Sequence, residues 1–193
     1  MNFFRIPPVL ILVLFLSSCA KTPSHLILAP ELNLPTVSNY QNKQAQLNVT
    51  DLRIARHIIQ VLHKGEAADL MTSQQILSES IKQVLKKEFE RQGLSLKQTA
   101  NNETVDNEIE VFIDEALIVV NQETMSYQAK SNISLRIKVI NTEQTLTKTF
   151  NSVNKRNGSL IADIAVLEYD FNQQLTNTLI NILTNDEVIQ FIK

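Results

Sequence analysis

Apolar positions follow a helical period in two long segments of the chain. Residues 73–92 and 160–184 each carry apolar side chains at every third or fourth position, which is typical of a helix that buries one face. The first stripe comprises Leu77, Ile81, Val84, Leu85 and Phe89, and the second comprises Ile164, Leu167, Phe171, Leu175, Leu179 and Ile182. The pattern therefore predicts two long amphipathic helices.

Residue types that favour helix ends occur beside both segments. Thr72 is predicted to cap the N-terminus of the first helix, and Gly93 to end it, with Leu94 folding back onto the last turn. Before the second helix, residues 157–158 (Asn-Gly) predict a turn and Ser159 predicts the cap.

Other segments alternate or cluster apolar residues as strands do. These predicted strands are residues 26–29, two strands between 46 and 63 around a turn, 94–98, 109–120, 133–139 and 145–153. The pattern within 109–120 indicates either a bulge or a strand that passes from a one-sided to a two-sided environment. Residues 101–103 are predicted to form a loop, and the apolar tail 187–193 a final docked helical turn. The sequence thus predicts an α+β fold in two layers, in which two long helices pack on one face of a largely antiparallel sheet of about five to seven strands.

The N-terminus resembles a bacterial lipoprotein signal. Arg5 precedes an apolar run at residues 9–16, and Leu16-Ser17-Ser18-Cys19 has the form of a lipobox, which predicts cleavage between Ser18 and Cys19. The alternative is an ordinary signal peptide that contains a cysteine by chance. The run is too short for a membrane-spanning helix, which needs about 20 apolar residues.

Cys19 is the only cysteine of the 193 residues. The lipobox predicts that it carries a diacylglyceryl group and a further acyl chain such as palmitate, and two or more chains anchor a protein stably. A lipidated Cys19 leaves no thiol for a disulfide or a nucleophile. The predicted organisation is a signal peptide at 1–18, a lipidated tether at 19–25 and a single α+β periplasmic domain at 26–193.

Composition and motifs argue against several functions. The net charge is −2 and there is no block of Lys or Arg, so no nucleic-acid partner is expected. His57 and His63 lack a third metal ligand at a recognisable spacing and are interpreted as surface or half-buried residues. The acidic pair Asp114-Glu115 is interpreted as an exposed pair at a strand bulge. We therefore predict no catalytic residue, no metal site and no cofactor.

Asp51 and Arg53 are the candidate site. Two residues apart on an extended chain, they project to the same side and could form an ion pair, or Asp51 could accept backbone hydrogen bonds in the following turn. We interpret this as a structural or interaction turn. An exposed ion pair contributes about 0–1 kcal/mol, whereas an aspartate that holds a turn contributes about 1–2 kcal/mol, so Asp51→Ala should lower the melting temperature by a few degrees and Arg53→Ala and His57→Ala by less.

Several stretches together resemble the YajG family of uncharacterised bacterial lipoproteins. They are the lipobox, Ile27-Leu28-Ala29-Pro30-Glu31-Leu32-Asn33-Leu34-Pro35, Asp51-Leu52-Arg53, Gly93-Leu94 and Val188-Ile189-Gln190-Phe191-Ile192-Lys193. The resemblance spans nearly the whole mature chain. It implies a periplasm-facing lipoprotein, and Ala20, in place of an aspartate, implies transport to the outer membrane. It supplies no catalytic residues.

Two functions are compatible with the sequence. The first is a non-enzymatic envelope lipoprotein, held to the membrane by its lipid, that binds or scaffolds an envelope protein or peptidoglycan. The alternative is an enzyme or ligand carrier that acts on cell-wall or lipid material. A deep pocket with perturbed carboxylates would favour the alternative.

Overall fold

A computed structural model of the protein describes residues 25–97 and 105–193. The predicted signal peptide, the lipobox with Cys19, most of the tether and the predicted loop at 101–103 lie outside these ranges. The strands are β1 His25–Leu26, β2 Gln44–Asp51, β3 Ile59–His63, β4 Asp69–Ser73, β5 Ser95–Lys97, β6 Asn107–Gln122, β7 Ser126–Ile140 and β8 Thr145–Ser159. The helices are α1 Leu77–Arg91, α2 Ile164–Leu183 and α3 Asp186–Ile192.

All eight described strands belong to one sheet built around β6. One edge of β6 pairs with β7, which in turn pairs with β8. The other edge pairs with two strands placed end to end: β2 runs beside residues 107–113 and β3 beside residues 118–122. β5 extends the sheet beyond β2, while β4 and then β1 extend it beyond β3.

The predicted two-layer, largely antiparallel fold with two long helices is wrong. The pairs β1–β4, β2–β5, β2–β6 and β3–β6 are parallel, and only β3–β4, β6–β7 and β7–β8 are antiparallel. Residues 25–97 and 105–193 are mostly β, with a mixed sheet that curls into a half-barrel and three short helices. Alternation along a strand reports which face is buried, but not the direction of the neighbouring strand.

The curled sheet and the helices enclose one apolar core. Helix α1 packs on β2 and β5, whereas α2 packs on β7 and β8. Phe89 of α1 and Phe171 of α2 are fully buried, and Phe89 packs against Tyr40 with ring centroids 5.9 Å apart. Apolar side chains from all the longer elements join this cluster. The predicted apolar stripes of both helices therefore do face the core.

Both predicted helix N-termini lie too early in the chain. Thr72 belongs to β4, α1 begins at Leu77, and its N-cap, Ile76, makes no side-chain capping bond. Ser159 ends β8, and Asp163 caps α2 by accepting a hydrogen bond of 2.9 Å from the Ala165 amide. In each case the first residues of the predicted helix bond to a distant segment instead: the Gln74 amide donates to the Leu26 carbonyl, and the Leu160 amide donates to the Met125 carbonyl.

The predicted end of the first helix is confirmed. Gly93 adopts φ +90°, its amide bonds to the Glu90 carbonyl, and the Leu94 amide bonds to the Phe89 carbonyl at 3.0 Å. These two bonds form a Schellman cap. The predicted docked tail is also confirmed, because α3 buries Val188 and Ile192.

Gly158 is not a turn residue. It lies within β8, opposite Tyr127 of β7, and a Cβ atom at this position would come within 2.2 Å of the Tyr127 ring. Glycine is therefore required here for close packing of an aromatic ring, and the predicted turn at 157–158 is wrong.

Candidate interaction site

The Asp51 and Arg53 side chains form a two-pronged ion pair where β2 ends. Arg53 donates from Nε to Asp51 Oδ1 at 3.0 Å and from Nη2 to Oδ2 at 2.9 Å, and its backbone amide also donates to Oδ1 at 3.1 Å. Arg56 adds a contact of 2.9 Å to Asp51 Oδ2. The sequence-based expectation that the two side chains lie together, and that Asp51 accepts a backbone bond, matches this geometry.

Arg53 is buried, contrary to the assumption of an exposed pair. Its side chain is 6% exposed, that of Asp51 10%, and that of Arg56 67%. Burial opposes the charge of Asp51, but the hydrogen bonds from Arg53 and the positive charges of Arg53 and Arg56 outweigh it and lower the pKa of Asp51. Asp51 is therefore held as a carboxylate.

Arg53 also fills a break in the sheet. β2 pairs with β6 as far as residue 113, and β3 begins to pair at residue 118. In this gap Arg53 Nη1 donates to the Ala116 carbonyl oxygen at 3.0 Å and to that of His57 at 3.4 Å. The guanidinium thus satisfies backbone acceptors that a continuous strand would otherwise pair, which makes its role at this turn structural.

Neither histidine of this region joins a metal-binding cluster. His57 is half-buried beside the turn, while His63 Nε2 lies 2.9 Å from Asp69 Oδ2. Among residues 25–97 and 105–193, no group of three or more His, Cys, Asp or Glu side chains is arranged to hold a metal ion.

The acidic pair Asp114-Glu115 lies at a β-bulge, as predicted. The β6–β7 register shifts between residues 113 and 115, and both acidic side chains are exposed. Asp114 pairs with Arg136, with Nη2 to Oδ1 at 2.8 Å, and Glu115 accepts from Asn132 at 3.0 Å. Each carboxylate therefore binds a side chain of β7, and the two do not form a catalytic dyad.

The described cavities are either small or open. Between β7, β8 and α2 a pocket of about 10 Å³ is too small for an organic ligand. Larger recesses of about 410 Å³ and 660 Å³ lie at opposite ends of the sheet, around the β7–β8 turn and the β6–β7 turn respectively. Both are surface depressions beside turns.

The open edge of β8 is a more prominent feature. β8 contains 15 residues, pairs with β7 over its whole length without a register shift, and has no strand on its other side in the described part of the chain. By comparison, β1 and β5 at the other limits of the sheet contain two and three residues. A long, regular edge strand is a template for pairing with another chain.

The pairing pattern identifies the residues whose backbone faces this edge. In an antiparallel pair, hydrogen-bonded residue pairs alternate with non-bonded ones, so every second residue of β8 directs its N–H and C=O outward. At one end of β8 the Asn141 amide donates to the Gln144 carbonyl at 3.1 Å, and at the other end the Leu160 amide donates to the Met125 carbonyl at 2.9 Å. Both bonds indicate the same alternation of bonded and non-bonded pairs along β8. The edge-facing residues are Thr145, Thr147, Thr149, Asn151, Val153, Lys155, Asn157 and Ser159.

The opposite set of β8 side chains fixes the strand to the helices. Lys148 pairs with Glu187 of α3 at 2.8 Å, and Arg156 forms an ion pair with Asp170 of α2. Gln174 of α2 donates from Nε2 to the Ser152 carbonyl at 2.8 Å. The edge is therefore held in an extended conformation before any partner binds, which reduces the entropy lost on binding.

Sequence reasoning missed this edge because nothing in the chain identifies a terminal strand. The signal that could have indicated it is the outward-facing row Thr145, Thr147, Thr149 and Asn151, which is polar and lacks proline. Threonine favours strands, and the absence of proline leaves every outward amide able to donate.

None of the described helices is both long and apolar enough to cross a bilayer. The described fold defines a β-rich domain with one curled mixed sheet. The chain belongs to the Lipoprotein_16 family, described as uncharacterized lipoproteins, whose model matches residues 30–193. This confirms the resemblance to the YajG family.

One of the similar solved structures shares the fold at low sequence identity. Protein XCC0632 from Xanthomonas campestris is similar, with a TM-score of 0.60, 14% identity, and coverage of 86% of this chain and 96% of that chain. A protein described as a neuraminyllactose-binding hemagglutinin homolog from Helicobacter pylori gives a TM-score of 0.48 at 8% identity, covering 87% and 96%. No curated protein sequence is significantly similar to this chain.

Proposed function

We propose that this protein is a non-enzymatic lipoprotein, anchored in the outer membrane through Cys19 and facing the periplasm, that binds another envelope protein along the open edge of β8. Membership of a lipoprotein family supports anchoring. The lipobox and Ala20 support the outer membrane as the destination.

The observation that carries the binding proposal is the 15-residue unpaired edge of β8. An extended segment of a partner can add to such an edge through main-chain hydrogen bonds, while its side chains contact the outer face of β8. Each bond contributes a net of about 0.5–1.5 kcal/mol, so a segment that forms several bonds can bind stably even after the loss of its own flexibility.

Charge on the edge strand disfavours pairing between two copies of this chain. Lys148, Lys155 and Arg156 lie on β8, which contains no acidic residue. An antiparallel pair of two β8 strands would bring like charges together, whereas a neutral or acidic partner segment would be accepted.

A pair of substitutions at Asn151 tests this function. Asn151→Pro removes an outward-facing amide donor and adds a ring on the open side, while the internal ladder to β7 keeps its bonds. Asn151→Ala removes the side chain and keeps the donor. A photo-crosslinking residue at Thr149, used in intact cells, should yield one adduct of defined mass in the wild-type and Asn151→Ala backgrounds, and little of it with Asn151→Pro.

A second crosslinker position controls for non-specific capture. Ser134 faces outward on β7, one strand away from the edge, and should give no such adduct. Equal adducts from positions 134 and 149, or an adduct unaffected by Asn151→Pro, would show that the β8 edge is not the binding surface.

A further inference from the structure

Three exposed apolar residues cluster where the β6–β7 turn meets the segment after β8. Met125 is 68% exposed, Leu160 58% and Ile161 78%. They lie together because the Leu160 amide donates to the Met125 carbonyl at 2.9 Å, and Gln122 bonds to the Leu160 carbonyl at 2.8 Å and to the Ala162 amide at 3.0 Å. We refer to Met125, Leu160 and Ile161 as the apolar tip.

Leu160 adopts an unfavourable backbone conformation. Its φ is +65°, in the left-handed region that favours glycine and asparagine and is rare for a bulky side chain. This strain presents a large apolar side chain to solvent. A backbone strain that costs stability, at a side chain that stays mostly exposed within the chain, is expected where that side chain contacts something else.

His25, the first described residue, lies at the end of β1 that is nearer the apolar tip. β1 runs parallel to β4, which is antiparallel to β3, and β3 runs parallel to β6 toward the β6–β7 turn. β1 therefore runs away from the apolar tip. A chain that continues the line of β1 backward from His25 leads toward the tip.

The length of the tether limits where the lipid can lie. The registers place His25 level with about residue 117 of β6, so the end of β6 at Gln122 lies about 17 Å farther toward the tip. Six residues from Cys19 to His25 span at most about 22 Å. The opposite end of the sheet, at the β7–β8 turn, lies about 30 Å from His25 in the other direction, beyond that reach.

We infer that the apolar tip contacts the surface of the membrane in which Cys19 is anchored, with Met125, Leu160 and Ile161 inserted among the lipid headgroups. The inference rests on the anchoring part of the proposed function. It fixes the orientation of the domain, with the β7–β8 turn directed away from the bilayer and the open edge of β8 running from the membrane into the periplasm.

The charged residues near the apolar tip are of both signs and do not form a positive patch that would bind anionic lipids. Lys64, Glu66 and Glu123 line the recess beside Met125, so the surface carries no excess of positive charge. The turn at the other end of the sheet, residues 141–144, is Asn-Thr-Glu-Gln and therefore presents polar side chains where the tip presents apolar ones. Binding should therefore depend on apolar insertion and little on anionic lipids or salt.

The absence of tryptophan from the chain permits a direct test. Ile161→Trp places a single fluorophore at the tip, and Thr142→Trp places a matched one at the opposite turn. Each lipidated full-length variant is reconstituted into phosphatidylcholine vesicles with and without brominated acyl chains. We expect at least twofold quenching and a blue shift for Ile161→Trp, no change for Thr142→Trp, and no effect of high salt.

The outcomes separate orientation from anchoring. Flotation of the vesicles measures anchoring, and it should fail when Cys19→Ser prevents lipidation. Flotation without quenching of Ile161→Trp, or equal quenching at both positions, would overturn the tip contact while leaving anchoring intact. A blue shift of Ile161→Trp that appears without vesicles and rises with protein concentration would assign the tip to a second copy instead. Failure of the wild-type lipidated protein to float would contradict the proposed function itself.

Discussion

Arg53 donates a hydrogen bond of 3.0 Å to the backbone carbonyl oxygen of Ala116, a residue 63 positions away in the chain. The same guanidinium holds Asp51 through two further bonds. This pair of contacts joins the end of β2 to the bulge of β6. The turn that sequence reasoning selected as a candidate site therefore connects two parts of the curled sheet.

The first prediction concerns the stability that Arg53 supplies. Arg53→Ala should lower the free energy of unfolding by about 2 kcal/mol, because it leaves the half-buried Asp51 carboxylate and the Ala116 carbonyl without their main partner. Urea unfolding followed by circular dichroism measures this loss. Arg56→Ala removes an exposed partner of the same carboxylate and should cost about 0–1 kcal/mol. Equal losses from the two variants would contradict the structural role of Arg53.

The second prediction is a dependence of stability on pH. The pKa of Asp51 is lower in the folded protein than in the unfolded chain, so its contribution is fully present above the unfolded pKa of about 3.9 and is lost as pH falls through the folded value. The stability difference between wild type and Asp51→Asn should therefore be constant near neutral pH and shrink below about pH 4. A difference that grew on acidification would have the wrong sign.

Replacing Leu160 should stabilise the domain. Leu160→Asn keeps φ +65° with a residue that tolerates this conformation, and it should raise the free energy of unfolding by about 1 kcal/mol. Leu160→Ala removes the same apolar side chain without relieving the backbone. A gain for asparagine and none for alanine, measured by thermal unfolding, would show that the strain is in the backbone.

Proline substitution should distinguish the β8 residues whose amides face the open edge from those whose amides bond to β7. Asn151→Pro removes an outward amide and should change the free energy of unfolding by less than about 1 kcal/mol, whereas Phe150→Pro removes a bond to β7 and should cost about 3 kcal/mol or more. Thermal unfolding of the two variants provides the measurement. The reverse order would mean that the assigned pairing phase is wrong.

Features that are signalled by residues close together in the sequence were predicted correctly, and features that depend on contacts between distant residues were not. The sequence signals for the Schellman cap at Gly93, the bulge at Asp114-Glu115 and the docked tail each lie within a few neighbouring positions, and the structure contains all three features. The helix starts were misplaced because the first residues of each predicted helix bond to segments distant in sequence. The burial of Arg53 depends on Ala116, which no local pattern connects to it.

The sheet was mispredicted for the same reason. β2 and β3 both pair in parallel with β6, and these contacts join residues about 60 positions apart. Alternating apolar residues indicated the strands and their buried faces, but carried no information about neighbours. The open edge of β8, on which the proposed function rests, is a property of strand order and could be recognised only in the folded structure.

Residue-resolved amide exchange tests the central claim most directly. In the isolated protein, the outward amides of Thr147, Thr149, Asn151 and Val153 should exchange rapidly, while the alternate amides of Lys148, Phe150 and Ser152 should be protected by their bonds to β7. Addition of a detergent-solubilised envelope fraction should slow the first set and leave the second unchanged. Protection of both sets in the isolated protein, or no change of the outward amides on addition of the envelope fraction, would contradict binding along this edge.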